Sequence, residues 1–333
     1  MQVWTDSMAR LVRVAVAAAV WTLLPSVVHA QQFPFERSYA VEGSSTLDVS
    51  TIRGKIDIVA GDPDRIIVSG TVTVRFGLDV PANAESLARQ VADSPPIERT
   101  ASTVRLRPPS DAAARRAVTV SYAIQVPPNT EVHSLSDSGA TTVRGLAAPV
   151  TVRTQSGAIE ASSLSGTVAI TSGSGAVKVD SIAGPLAVRT GSSAFSGRAL
   201  GSSLHIRTSS GDVDGVLTGT GDVDVETGSS TIRLEGLQGG LTARTQSGRI
   251  SIQGVPRRPW TATTGSSGVG LTIGSDAAFS IDAASRSGSV TVEGAEVDGS
   301  VTKRRITGSI GGGGPLVRVE SGSGAITVRV AAR

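Results

Sequence analysis

The chain has 333 residues, of which 39 are glycine, 39% are hydrophobic and only 3% are aromatic, so any core must come from aliphatic side chains stacked in register. It has no cysteine, which excludes disulfides, thiol nucleophiles and Cys-ligated metals. The net charge is +3, and lysine occurs only at Lys55, Lys178 and Lys303. That is not the clustered basic face a nucleic-acid binder carries.

The first element is a targeting segment. Met8–Ala30 reads "MARLVRVAVAAAVWTLLPSVVHA": Arg10 and Arg13, an apolar run over Val14–Leu24, a break at Pro25 and small residues before the cleavage position. This is the pattern of a secretory signal peptide, residues 1–30, cleaved after Ala30. The apolar run is short for a bilayer span, which takes about 20 residues. No later stretch is long enough either, so the expected location is extracytoplasmic: periplasm, cell surface or secreted.

Residues 31–135 read as an N-terminal cap with the first irregular coils. "STLDVSTIRGKIDIVAG" and "DRIIVSGTVTVRF" alternate like strands. Pro81–Ser94 is one short amphipathic helix, with Leu87 and Val91 four apart. "TVRLRPP" and "RAVTVSYAIQVPPN" are strands again.

Residues 136–333 are a regular repeat. Ser-Gly corners fall at Gly139, Gly157, Gly175, Ser193, Gly211, Ser230, Gly248, Gly268, Gly288 and Gly324, with steps of 18, 18, 18, 18, 19, 18, 20, 20 and 36. The last step implies a skipped corner near Ile306. Apolar pairs two residues apart flank each corner, such as Val168/Ile170 before Gly175 and Val177/Val179 after it. That spacing gives a strand with one buried face. Two residues past each first pair stand Thr154, Ser172, Thr190, Thr208, Thr227, Thr245 and Thr264, placed to cap the turn. Glycine at the corner suits a turn that requires φ > 0. The fold class is therefore all-β: a parallel β-solenoid with coils of about 18 residues and two strands per coil. A sandwich of antiparallel hairpins would not need the same residue type at the same offset in every repeat. Lys303–Gly314, "KRRITGSIGGGG", reads as a loop or irregular turn. A final coil then ends at "SGSGAITVRVAAR", where Arg329 and Arg333 would blunt the terminal edge.

Within Arg116–Ala161 the strand Tyr122–Pro127, the "SGATTVRGL" stretch after it and the recurring "T-x-S-G-x-I" carry a resemblance. They resemble the bacterial adhesin-like family with a DUF4097-type domain, over roughly residues 40–330. The resemblance implies an extracytoplasmic β-solenoid and offers no catalytic residues to transfer.

The residues themselves supply little chemistry. His133 and His205 lie four coils apart, too far to share a zinc ion. Asp212, Asp214, Asp222 and Asp224 in "GDVDGVLTGTGDVDV" resemble calcium-repeat acids, but the strand parity points them outward from opposite sheets. In the same frame Arg207, Glu226 and Arg244 share one outward column, and Asp214 pairs with Arg233. Two basic clusters, Arg257-Arg258 and Lys303-Arg304-Arg305, sit on different edges and form no single anion site. No catalytic, cofactor-binding or metal-binding residue is assigned, and no cofactor is expected. The expected function is a secreted, non-enzymatic adhesin-like surface or envelope scaffold. Its partner would be a cell-envelope polymer, a glycan or a surface protein, and not nucleic acid. Two other classes stay open. One is a periplasmic sensory or regulatory partner in envelope-stress signalling, by family analogy. The other is a polysaccharide-acting β-helix enzyme, which would need carboxylates converging in a cleft.

Overall fold

The computed structural model describes residues 31–331. The segment read as a signal peptide, residues 1–30, and Arg333 lie outside the described residues. Two facing sheets, of 15 and 14 strands, run through the molecule.

The repeat builds both sheets by parallel, in-register pairing. In the 15-stranded sheet Val150 pairs with Val168, Val168 with Leu186, Leu186 with Leu204 and Leu204 with Val223. In the 14-stranded sheet Ile159 pairs with Val177, Val177 with Phe195 and Phe195 with Val213. These inward residues are almost wholly buried. Each side chain thus packs on a near-copy of itself about 4.8 Å away, and the aliphatics form the continuous core that the composition demands.

A second inward residue type follows each second strand. Leu146, Leu164, Ile182, Leu200 and Leu237 are buried. Each is preceded by a left-handed residue: Gly145, Ser163, Ser181, Ala199 and Gly236, with φ of 78°, 55°, 57°, 51° and 75°. The left-handed step turns the strand end so that the branched side chain re-enters the core. At the three non-glycine positions it costs on the order of 1 kcal/mol, which burial of that side chain offsets.

The Ser-Gly corners require glycine for a different reason from the one the sequence suggests. None of Gly139, Gly157, Gly175, Gly211 or Gly248 has positive φ. Instead a Cβ at Gly157 would lie 2.0 Å from the Gly139 carbonyl oxygen, and at Gly175 1.8 Å from that of Gly157. Close stacking of coil on coil, not backbone handedness, excludes a side chain there. The hydroxyl ladder caps the turn N–H in part of the coils, while Ser172 and Thr190 donate to the corner carbonyls and Thr227 has no partner. Thr154 Oγ1 accepts from Gly157 N at 2.8 Å, Thr208 Oγ1 from Gly211 N at 3.0 Å and Thr245 Oγ1 from Gly248 N at 2.9 Å.

The N-terminal region holds two helices, not one. Ala84–Asp93 lies within the expected segment and buries Ala84, Ala88, Val91 and Ala92. Ala112–Ala117, which the strand pattern does not announce, is the second. Its signal is local: Asp111 caps the alanine run, accepting from Ala114 N at 2.7 Å. Strand Val118–Val126 then pairs antiparallel with Arg65–Val74, which pairs antiparallel with Gln32–Ala40. Arg107 grips Asp48 through both guanidinium amino groups. That hydrogen bonding holds the Asp48 carboxyl below its ordinary pKa despite partial burial.

Chain order and spatial order disagree at both ends. Strands Thr46–Thr51 and Ile56–Ala60 form a coil lying between Glu131–Ser136/Thr141–Arg144 on one side and Thr103–Leu106/Val118–Val126 on the other. At the other end Leu316–Ser321 lies between Trp260–Thr264 and Phe279–Ser285. Likewise Ile326–Val330 lies between Val269–Ile273 and Val290–Glu293. The last coil in sequence is therefore interior, and Arg329 guards no edge. It bonds Glu293 on the neighbouring strand at 2.8 Å.

Two further expectations fall with that arrangement. No corner is skipped near Ile306, because Gly324 stacks directly on Ser267 and Gly288 on Gly324. Nor is Lys303–Gly314 an irregular turn. Asp298–Val301 and Arg305–Ile310 form an antiparallel hairpin that pairs with Phe279–Ser285 and closes the end, burying Ile306 and Ile310. The glycine run that follows masks this strand in the sequence.

Candidate functional site

Inward positions being filled by core, every remaining side chain of the coils projects from a flat outer face or an edge. The two outer faces differ in how their charges are arranged. On the 14-stranded sheet, neighbours across adjacent coils have opposite sign: Glu160 beside Lys178, Asp180 beside Arg198 and Asp214 beside Arg233. Such neighbours attract across the strands, and Arg233 closes on Asp214 at 3.1 Å.

The 15-stranded sheet breaks that rule. One outward column runs Arg153, Thr171, Arg189, Arg207, Glu226, Arg244, Thr263, each paired in register with the next. Arg189 stands directly beside Arg207, and like charges in that position repel. Only Arg207 is neutralised. It contacts Glu226, lies 3.8 Å from Asp224 and donates from Nε to His205 Nε2 at 3.1 Å. His205 in turn lies 3.1 Å from Asp224 through Nδ1. Among the described residues, the guanidinium groups of Arg153, Arg189 and Arg244 have no carboxylate or hydrogen-bond partner.

Arg189 and Arg244, with Arg207 and Glu226 between them, line an open groove of about 720 Å³ that runs along the face, and Arg153 stands two rungs beyond Arg189, outside that lining. Ser209, Gln246 and Thr263 supply neutral hydrogen-bonding groups to it. The adjacent outward column runs Thr151, Ala169, Ala187, His205, Asp224, Thr242, so the floor is low beside Arg153 and Arg189 and rises at His205 and Asp224. The arrangement can hold an extended anion by multiple weak contacts.

The residues singled out in sequence do not assemble into another site. Asp212 accepts from Thr231 N at 2.9 Å and Asp214 from Arg233 at 3.1 Å. Asp222 accepts from Gly240 N at 2.7 Å and from Arg258 at 2.9 Å. No metal-binding group of acids or histidines occurs among the described residues. His133 lies 3.1 Å from Glu131 and away from His205. Arg258 is taken up by Asp222, and Arg305 by Asp282 at 2.9 Å, so neither basic cluster is wholly free. Arg153 and Arg189 escape a search for basic clusters because they are 36 residues apart. Their signal is the repeat itself: Arg153, Arg189 and Arg207 differ by multiples of 18.

The architecture defines a parallel β-solenoid whose chemistry, where it has any, lies on a flat outer face. No helix among the described residues is long and apolar enough to cross a membrane. The chain belongs to the Toastrack DUF4097 family, whose profile matches residues 123–329. Two solved structures are similar to it at 13% identity. One is a protein from Clostridium sporogenes ATCC 15579 provisionally named a cell adhesion protein, covering 90% of this chain and 100% of its own, with a TM-score of 0.25. The other, from Bacteroides fragilis NCTC 9343, is provisionally named an adhesin and covers 90% of this chain and 97% of its own, with a TM-score of 0.26. No curated protein matches the chain.

Proposed function

We propose that this protein is a non-enzymatic, extracytoplasmic binding surface of the adhesin-like kind, and that it engages cell-envelope material through the outer face of the 15-stranded sheet. The carrying observation is the arginine column, in which Arg153 and Arg189 face no carboxylate in either adjacent coil and Arg189 stands beside Arg207. A face of in-register strands is stiff, so little conformational entropy is lost when an extended partner lies along it. Asp212, Asp214 and Asp222 are each engaged by an arginine or a backbone amide rather than converging on a cleft, as glycoside cleavage would require. The secretory reading of the leader supports the location.

The test is retention of fractionated envelope material on the immobilised protein at low ionic strength. Retention that falls with salt is expected. Failure to retain any polymer, glycan or surface protein would sink the reading. Turnover of a retained polysaccharide would sink the non-enzymatic part of it.

A further inference from the structure

We infer that the arginine column is a docking track for a linear polyuronate, a polysaccharide carrying one carboxylate per sugar, laid along the stacking direction of the coils. The inference rests on the binding-surface reading above and names its ligand class.

The first support is charge. Strand positions facing each other across adjacent coils are spaced by about 4.8 Å. Arg153, Arg189 and Arg244, which make no ion pair, are therefore two and then three rungs apart, about 10 and 14 Å, with Arg207 and its partner Glu226 between the latter two. The carboxylates near Arg189 are held by Arg207, which contacts Glu226 and lies 3.8 Å from Asp224, so Arg189 has no counter-charge of its own and an external anion can supply one. On the opposite face Glu160, Asp180 and Asp214 each stand beside a basic residue of the next coil, so those neighbours attract.

The second support is spacing and chemistry. Successive sugars of an extended 1,4-linked chain are turned by roughly half a revolution, so the carboxylates on one side recur every second sugar, close to the two-rung spacing of Arg153 and Arg189. Guanidinium groups bind carboxylates in a planar, two-point manner. The neutral hydroxyl and amide groups of Ser209, Gln246 and Thr263 within the groove suit sugar hydroxyls. No aromatic side chain lines the groove, so there is nothing on which the bases of a single-stranded nucleic acid could stack.

The test is titration calorimetry with hexagalacturonate at low salt on three proteins: the wild type, a face variant Arg153→Thr/Arg189→Thr/Arg244→Thr, and an opposite-face variant Lys178→Thr/Arg198→Thr/Arg233→Thr. Threonine already stands in the column at Thr171 and Thr263, so the face variant should fold, and matched thermal melts check that. The expected result is binding by the wild type, a loss of at least tenfold in the face variant, and a change within twofold in the other. Equal losses in both variants overturn the site, since net charge alone would then explain binding. Tighter binding of poly(glycerol phosphate) of equal charge overturns the carboxylate assignment in favour of a phosphate polymer. No binding of hexagalacturonate also overturns the inference. If the wild type still retains envelope material and the face variant does not, the binding-surface reading survives that failure. If neither retains any, both fall.

Discussion

A hydroxyl before each corner has two uses in this molecule, and the coils do not all achieve both. Thr208 Oγ1 accepts from Gly211 N and also from Thr190 Oγ1 at 2.8 Å, so it serves its own turn and its neighbour's side chain. Thr227 occupies the equivalent place one coil on, yet its hydroxyl is buried with no partner. An unpaired buried polar group is costly, and replacing it by an apolar isostere removes the cost. Thr208→Val should lose about 1–3 kcal/mol, whereas Thr227→Val should be neutral or stabilising. Urea-denaturation midpoints measure both. Equal losses would mean that the ladder stabilises by packing alone.

At the scale of the element, the coil is legible from sequence where one physical requirement repeats. Val168/Ile170 and Val177/Val179 announce two strands because burial alternates with a period of two. The column Thr154–Thr264 announces the turn because every coil needs the same cap. What the pattern hides is the reason for glycine. A conformational demand and a steric one leave the same letter in the sequence, and only the distance from Gly157 to the Gly139 carbonyl separates them. Gly157→Ala should therefore cost about 1–3 kcal/mol by overpacking. Gly270 lies mid-strand, and a Cβ there would meet nothing within 4 Å, so Gly270→Ala should be neutral or gain about 0.4–1 kcal/mol. Thermal melts of the two variants decide it, and a Gly157→Ala protein as stable as the parent would refute the steric account. The helix Ala112–Ala117 escapes the pattern because six residues are too few to show a helical period, although the Asp111 cap is there to be read.

For the whole molecule, the sequence specifies how coils pair but not which coils pair. Each coil presents the same alternation of apolar pairs and the same corner, so any coil can stack on any other. Leu316–Ser321 and Phe279–Ser285 are alike in parity, and nothing local ranks them as neighbours of Trp260–Thr264. Their order is settled by the hairpin Asp298–Ile310, which pairs with Phe279–Ser285 and makes that strand the one next to the cap. Truncation after Gly314 thus removes an interior coil rather than an end. Residues 275–314 should become protease-sensitive while the coils of residues 131–273 stay protected, since stability in a stacked array is carried by nearest neighbours. Limited proteolysis with mass mapping checks this. A truncated protein resistant over residues 275–314 would show that the gap closes on its own.

The C-terminal strand of the fold is thus tucked under a coil from earlier in the chain, whereas the first strand, Gln32–Ala40, lies at the edge of the 14-stranded sheet. That governs how such a protein can change length during descent. A repeat appended after Val330 would meet no free edge, because the strand Ile326–Val330 already has neighbours on both sides. A repeat duplicated among the middle coils would add one rung and disturb neither end. Lengthening on the C-terminal side is thus confined to the middle coils, where the outer face extends in increments of one coil.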